Sequence, residues 1–531
     1  MKKIYLILLF LPILMTSCFK DMGNYDYKTF EEFEVSGLES SYDVISYVEN
    51  LKITPVVTPE EGDFEYEWFV TESRKGLHQI EEYAVVLSRD KVLDVPFEYP
   101  TGSYELHLKV TDKVSGDAEF VRMTVNAVTP FLNGHYVLYE TAEGNTEMDI
   151  HYSDGNVTRE AVSEFYGSSL PGKPKTLSYV PEMSYLDEES GSNVVNYVMV
   201  PSSENGMVSF NMTDMSVART MDQWFYGEYD CSDIRHISSL GYNVLIFAKT
   251  GVHSNYQIVN GVWVQLSAGK FSPQPDVIDA TAYEVSSDVC YFGDMALFHD
   301  AVNNRFISID LNGGLKVCTL QSPSPIEGEE PVPEQIDGKV IFMGGISPSG
   351  VTGYDFRDYM VIIAEGNDSG RTCYYVKPDG QRGLDIVRKM KFDAGTPFAT
   401  ASFYTSSKNG ANYLYAVSDN KIYSMNPNTG AVEELTFTSR PEGEITLFQT
   451  MFNVTADQNS DAYFNGFVIA TVSSGKYTVA LYDMIGGLPV LNTGPVRTFE
   501  GEGKVKSVQY ASQTKKAGVM NIGNSVYSIH Y

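Results

Sequence analysis

The chain has 531 residues, with 38 Lys and Arg against 69 Asp and Glu, for a formal net charge of −31. So large an acidic excess opposes phosphate neutralisation, and no basic stripe reverses it locally, which argues against nucleic acid as a partner. With 43% hydrophobic and 20% charged residues the chain is globular rather than disordered, and it is too long for one ordinary core, so at least two domains, or a repeat architecture plus a smaller domain, are expected.

Lys2 and Lys3, the apolar run Ile4 to Leu14 and the string Met15-Thr16-Ser17-Cys18 read as the three zones of an export signal over residues 1–17. The apolar run is too short for a retained membrane span, which needs roughly 20 residues. Leu14-Met15-Thr16-Ser17-Cys18 resembles the lipobox of bacterial lipoproteins, with Met15 where Leu is usual. That resemblance implies that Cys18 is acylated and begins the mature chain, held in outer-membrane lipid by acyl chains contributing roughly 0.8 kcal/mol per buried CH₂. Phe19-Lys20-Asp21-Met22 resembles the short Lys-then-acidic signal that places Bacteroidetes lipoproteins on the outer face of the outer membrane. It implies exterior display, with periplasmic retention as the alternative. Residues 18–30 read as a tether.

From residue 31 to 128 the sequence alternates apolar and polar residues in short runs, such as Phe64-Glu65-Tyr66-Glu67-Trp68-Phe69-Val70 and Tyr104-Glu105-Leu106-His107-Leu108-Lys109-Val110, separated by turn clusters. This is the pattern of half-buried strands in an immunoglobulin-like sandwich with Trp68 at its core. Tyr66-Glu67-Trp68 and Gly102-Ser103-Tyr104 through Val110-Thr111-Asp112 resemble a divergent polycystic-kidney-disease-type (PKD-like) domain that lacks the Trp-Asp-Phe-Gly-Asp-Gly signature. The domain is read as a spacer.

Residues 131–531 repeat a unit of apolar strand, polar turn and second strand, clearest at Ile307 to Val317 and Ile422 to Val432. Turns at Asp154-Gly155, Thr213-Asp214, Ser267-Ala268-Gly269, Asn312-Gly313, Pro378-Asp379-Gly380, Asn428-Thr429-Gly430 and Ile485-Gly486-Gly487 recur at the spacing of propeller blades. Leading strands begin near Thr176, Asp233, Ala280, Lys339, Phe398, Ile445 and Lys504. The fold class is therefore all-β, a small PKD-like sandwich followed by a β-propeller of seven blades, with eight as the alternative. Tyr136 to Val162 reads as an incomplete blade, the segment after Lys504 as a short one. The terminal strand Val526 to Tyr531 is expected to close the ring against an N-terminal strand.

Lipobox, the tether Phe19 to Tyr27, the sandwich, then Gly134-His135-Tyr136-Val137-Leu138-Tyr139-Glu140 and Leu170-Pro171-Gly172-Lys173-Pro174 together resemble the PKD-like family lipoproteins of Bacteroidetes. The resemblance implies a surface accessory of a nutrient-acquisition system, with a TonB-dependent transporter and its lid lipoprotein (SusC/SusD-type) as partners. It implies no reaction.

Motifs for chemistry are missing: no His-Glu-x-x-His, no Gly-x-Ser-x-Gly elbow and no phosphate-cradling loop occurs, so neither a catalytic residue nor a metal or cofactor site is assigned. Cys231, Cys290, Cys318 and Cys373 are too widely spaced for a zinc knuckle and read as buried thiols, with one disulfide as the alternative. His135, His151 and His236 lie in strand-like contexts. Asp368-Ser369-Gly370-Arg371-Thr372 resembles part of a sialidase Asp-box, a structural turn. For binding, Trp224, Phe225, Tyr226 and Tyr229 stand out, four aromatics in a turn-rich segment that serve either as a platform for a glycan or peptide or as a plug between blades. Trp263 alternates like a core strand residue. The reading is a non-catalytic binding protein; the alternatives are a propeller enzyme acting on glycans or peptides, and a scaffold or adhesion protein.

Overall fold

A computed structural model describes residues 33–529 apart from 48, 73–83, 100, 154, 188–190, 241–242, 260–261, 266–268, 293–294, 311–312, 322–334, 347–358, 379–382, 407–412, 427–428, 452–465, 486–487 and 513–525. Cys18 and the rest of the N-terminal signal and tether lie outside the described residues. The chain divides into two compact units, Met1–Ala127 and Val128–Tyr531.

In the first unit Ser41–Ile45, Ala118–Val128, Gly102–Asp112, Phe64–Glu72 and Val85–Ser88 form one sheet in that order, the last four pairing antiparallel. Short pairs, Asn50–Ile53 with Leu93–Pro96 and Glu34–Ser36 with Val56–Thr58, complete the domain. Alternation along Gly102–Asp112 buries Leu106, Leu108 and Val110 against Leu51, Ile53 and Leu93. Trp68 is fully buried among them, and its indole N–H donates to the Asp90 carbonyl at 3.0 Å, so the core's largest side chain leaves no polar atom unsatisfied.

The second unit is a β-propeller; among the described residues seven sheets of three to five strands follow one another, with the two-stranded pair Tyr256–Val259 and Val262–Gln265 between the third and fourth. Sheet 2 (Pro174–Asp187, Ser192–Ser203, Val208–Asn211, Val217–Thr220) shows the pattern: four antiparallel strands, each paired with its sequence neighbour. The first strand of each sheet lies against the first strand of the next at most junctions: Pro174–Asp187 against Ile234–Leu240 of sheet 3, Val285–Phe292 of sheet 4 against Lys339–Ile346 of sheet 5, and that against Phe403–Ser406 of sheet 6. Phe403–Ser406 in turn meets Glu444–Met451 of sheet 7, which meets Lys504–Ser512 of sheet 1, which meets Pro174–Asp187. First strands therefore surround the axis.

Apolar clusters fill the junctions. Tyr415, Val417 and Ile422 of sheet 6 pack on Ile445, Phe448 and Phe467 of sheet 7, and Leu245 and Phe247 of sheet 3 on Val285, Phe298 and Ile307 of sheet 4. Side-chain bonds to backbone tie the inner strands together: Met343 N–H donates to Asp288 Oδ2 (2.9 Å), Ser406 Oγ to the Gly345 carbonyl (2.7 Å), Thr450 Oγ1 to the Ser406 carbonyl (3.2 Å) and Gln449 Nε2 to the Val508 carbonyl (3.1 Å).

Ring closure differs from the sequence reading. The incomplete blade at Tyr136 to Val162 and the short blade after Lys504 are one sheet: Lys504–Ser512 pairs antiparallel with Asn133–Glu140, which continues to Thr146–Tyr152 and Val157–Thr158. Val526–Ile529 does not meet an N-terminal strand; it adds to the axial edge of sheet 4 along Val289–Phe292. Both C-terminal segments alternate in hydrophobicity, and alternation says that a strand forms without saying which edge it joins. Two leading strands also start later than expected, at Val285 and Phe403 rather than near Ala280 and Phe398.

A chain ended at Ser512 should therefore keep one cooperative thermal transition near that of the full chain, because closure is intact. One ended at Gly503 should melt far lower or not fold, because Asn133–Glu140 would present an unpaired edge and sheet 7 would lose the packing of Val505 and Val508. Thermal denaturation followed by circular dichroism distinguishes the two.

Candidate functional site

Of the four aromatics singled out by sequence, two are unavailable to a ligand. Trp224 and Phe225 are 0% and 1% exposed, in the junction where Val180, Met183 and Val198 of sheet 2 meet Ile234, Ile237 and Val244 of sheet 3. Trp224 stacks on Phe271 with ring centres 5.9 Å apart, and Phe225 stacks on Tyr229 at 4.0 Å. A capping box at Thr220 and Gln223 starts the short helix Met221–Trp224 that aims both rings inward. Tyr229 is half-buried, its hydroxyl 3.1 Å from His253 Nε2, while Tyr226 is half exposed. The segment is thus mainly a plug, because burying two large rings at a junction is worth more than displaying them. The side chain of Trp263 lies outside the described residues.

The densest group of titratable side chains is also internal. Asp149, on the third strand of sheet 1, is 1% exposed and accepts from Arg159 Nη1 (2.6 Å), Tyr477 Oη of sheet 7 (2.6 Å), Glu160 N–H (2.9 Å) and Tyr139 Oη (3.3 Å). His151 Nε2 lies 3.0 Å from the Tyr477 hydroxyl and, with that hydroxyl committed to Asp149, is placed to donate to it. Glu147 is held by Ser163 and by Met148 N–H, and burial pushes its carboxyl above the usual range. Burial drives His135 down to about 3 and His151 to about 4, with the charges of Arg497 and Arg159 respectively adding to the effect. The cluster latches the first sheet to the last. The four remaining cysteines are buried, and burial raises the Cys231 thiol to about 11 and that of Cys373 to about 12, so neither is a thiolate at neutral pH. Asp368 closes its turn by accepting from Gly370 N–H at 2.9 Å, the structural role expected of that motif.

The end of the ring at which first strands begin carries a feature not read from the sequence. In sheets 1, 2, 3, 5 and 7 a one-residue bulge interrupts the first strand near its start, at Lys506, Lys175, Arg235, Ile341 and Thr446 respectively. A bulged residue has no partner across the ladder and escapes the strict alternation, which lets its side chain be re-aimed. Lys506 is accordingly exposed and Lys175 half exposed, between buried Val505 and Ser507 and buried Pro174 and Thr176. In sheets 1, 5 and 7 a glycine precedes the strand: at Gly503 (φ +96°) and Gly443 (φ +111°) a Cβ would stand 2.4 and 2.3 Å from the carbonyl oxygens of Glu140 and Val472. Only glycine fits, which makes Gly503-Lys504-Val505-Lys506, Gly443-Glu444-Ile445-Thr446 and Gly338-Lys339-Val340-Ile341 one repeated start signal whose fourth residue bulges.

Ion pairs join sheets at this end: Lys504 with Glu444 (3.4 Å), Lys173 with Glu140 (3.5 Å) and Arg235 with Glu284 (3.2 Å). Lys175 and Lys506 have no ion-pair partner among the described residues; Asp230, exposed and held chiefly by Ser232, feels the field of Lys175. Protein surrounds Lys506 on most sides although its side chain keeps contact with water, so burial, and secondarily the charge of Lys175, pushes its ammonium below the usual range. Beside them a cleft of about 280 Å³ is lined by Ser402, Phe403, Asn420, Glu444, Thr446 and Lys504, among others. Asn420 fixes one wall, donating to the Gly443 carbonyl (2.9 Å) and accepting from Ile445 N–H (2.8 Å). A second hollow of about 450 Å³, mostly apolar, lies on sheet 7 between Phe437 and Leu488 to Leu491. Among the described residues no group of His, Cys, Asp and Glu is arranged to hold a metal, and no helix is long and apolar enough to cross a membrane.

Fold and site define an all-β chain with a PKD-like domain and a propeller. The PKD-like family model matches residues 18–174, the stretch that runs through the sandwich and sheet 1 to the start of sheet 2. No curated protein matches the chain. Among solved structures it is similar to a quinoprotein alcohol dehydrogenase-like protein from Bacteroides thetaiotaomicron (12% identity, 89% of this chain and 96% of that one, TM-score 0.36). It is also similar to a candidate 6-phosphogluconolactonase from Bacteroides uniformis (15%, 70% and 100%, TM-score 0.38). A third similarity is to SGBP-B of the mixed-linkage glucan utilization locus of Bacteroides ovatus, solved with a mixed-linkage heptasaccharide (12%, 68% and 90%, TM-score 0.18). At these scores the propeller assignment rests on the strand pairing itself.

Two stability predictions follow from the latch. Asp149→Ala should cost about 1–3 kcal/mol, since it leaves the buried Tyr477 hydroxyl and the Glu160 N–H without their acceptor while the half-exposed Arg159 turns to water, measured by urea denaturation. His135 and His151 bind protons less readily folded than unfolded, so the stability they confer is present above the unfolded value near 6.5 and is lost as pH falls toward about 4 and about 3. Glu147, raised when folded, works in the opposite direction. His135→Phe, packed between Phe499 and Tyr510, should flatten the fall in stability between pH 6.5 and 4.

Proposed function

We propose that this chain is a lipid-anchored protein of the bacterial cell surface, a non-catalytic binding accessory of a nutrient-acquisition system in which a TonB-dependent transporter and its lid lipoprotein are the partners. Acylation of Cys18 supplies the anchor, and Lys20-Asp21 the address to the outer face. The PKD-like domain serves as the spacer between membrane and propeller.

The observation that carries the reading is the cleft at the leading end of the ring. Its polar groups stand on strand starts whose backbone is fixed by glycine, bulge and the Asn420 clamp, the rigid placement that a binding site needs. Glu147, Asp149, His135 and His151, the seam's titratable groups, are held inside the junctions of sheet 1, and the one carboxylate lining the cleft, Glu444, is paired with Lys504. That favours binding over turnover.

Solubilising the outer membrane in mild detergent, capturing the full chain and analysing what copurifies tests the proposal. A TonB-dependent barrel and its lid in stoichiometric amount is the expected result, and recovery of the chain alone overturns the partnership. Cys18→Ser should move the protein from the membrane to the soluble fraction; continued sedimentation with membranes would contradict anchoring at that residue.

A further inference from the structure

We propose that the leading end of the propeller binds an acidic saccharide, with the carboxylate of the sugar held by Lys506 and Lys175 beside Arg235, and a neighbouring sugar ring seated in the cleft between Ser402, Phe403, Asn420 and Glu444. The proposal rests on the reading of this chain as a binding protein and names what that site selects.

Three observations carry it. Bulges at one structural position put a cation on three consecutive sheets: Lys506 on sheet 1, Lys175 on sheet 2 and Arg235 on sheet 3. Sheet 7, which flanks sheet 1, and sheet 5, farther round the ring, carry Thr446 and Ile341 at that position, so the cations are grouped on one arc and not repeated around the ring. Arg235 is paired with Glu284, whereas Lys506 and Lys175, on neighbouring first strands, have no ion-pair partner among the described residues. Repulsion between neighbouring ammonium groups is relieved by an anion placed between them.

The chemistry of the cleft narrows the class. The exposed Ser402 hydroxyl, which donates to the Val417 carbonyl and keeps lone pairs with which to accept, and the half-buried ring of Phe403 suit a polyol that has an apolar face. Lys504, which lines the cleft, and Lys506 lie on one strand at i and i+2, so cleft and cation arc adjoin. A long polyphosphate would meet the field of the whole acidic protein, whereas a short acidic oligosaccharide with a few carboxylates needs only the local arc. Val526–Ile529 occupies the axial edge of sheet 4 along Val289–Phe292, toward the far end of that strand.

Isothermal titration calorimetry of the full chain in detergent with trigalacturonate, and with maltotriose as the neutral probe, tests the proposal. Trigalacturonate should bind, weakened by raised salt and by about tenfold or more in K175Q/K506Q. The control K316Q, on the outermost strand of sheet 4, should bind as the parent does, and unchanged melting should show that all variants are folded. Equal binding of maltotriose, or trigalacturonate binding indifferent to K175Q/K506Q, overturns the acidic-sugar assignment while leaving a binding protein. Binding of neither probe overturns the assignment as well, and the copurification result then decides separately whether the accessory reading survives.

Discussion

The propeller depends on the pairing of Lys504–Ser512 with Asn133–Glu140, two segments from opposite ends of the second unit. Without it Asn133–Glu140 would present an unpaired edge and sheet 7 would lose the apolar face formed by Val505 and Val508; one inter-end strand supplies both. The Asp149, Arg159 and Tyr477 network then acts across the same seam, sheet 1 to sheet 7, as do Val137 and Tyr139 packed on Val468, Ala470 and Val479. Backbone pairing sets the register, and buried polar and apolar contacts hold it.

Closure also determines where charge is displayed. Lys506 reaches the arc beside Lys175 only because its strand is inserted as the first strand of sheet 1, next to the first strand of sheet 2. The bulge supplies the rest. A regular strand would place residue 506 in alternation with its neighbours, facing one junction or the other; the extra residue interrupts that order at the rim, a position where bulges commonly re-aim side chains. The glycine before the strand permits the tight approach to the second strand that starts the bulge at the same point in three sheets.

Much of the architecture was legible in the sequence because strand and turn signals are local. Period-two runs located the strands around Trp68, and the turns at Asn312-Gly313 and Asn428-Thr429-Gly430 marked the hairpins of repeated units. The closing strand was not legible, since Lys504–Ser512 and Val526–Ile529 carry the same kind of pattern and differ only in which edge accepts them. Trp224 and Phe225 could have been platform or plug on sequence alone; the capping box at Thr220 and Gln223, which turns both rings inward, was the local sign that went unread. The cation arc is invisible one strand at a time. It emerges when the Gly-x-apolar-x starts at 338, 443 and 503 are aligned and the fourth position is compared, and at Lys175 and Arg235, where no glycine precedes the strand, only the pairing register shows the bulge.

Amide hydrogen exchange over residues 504–512 is the most direct measurement of the central claim. If this strand closes the ring, its amides should exchange only through global unfolding, as slowly as those of residues 133–140, with Asp149→Ala accelerating both segments together. Rapid exchange of residues 504–512 while residues 133–140 remain protected would contradict the closure and remove Lys506 from the arc it is assigned to.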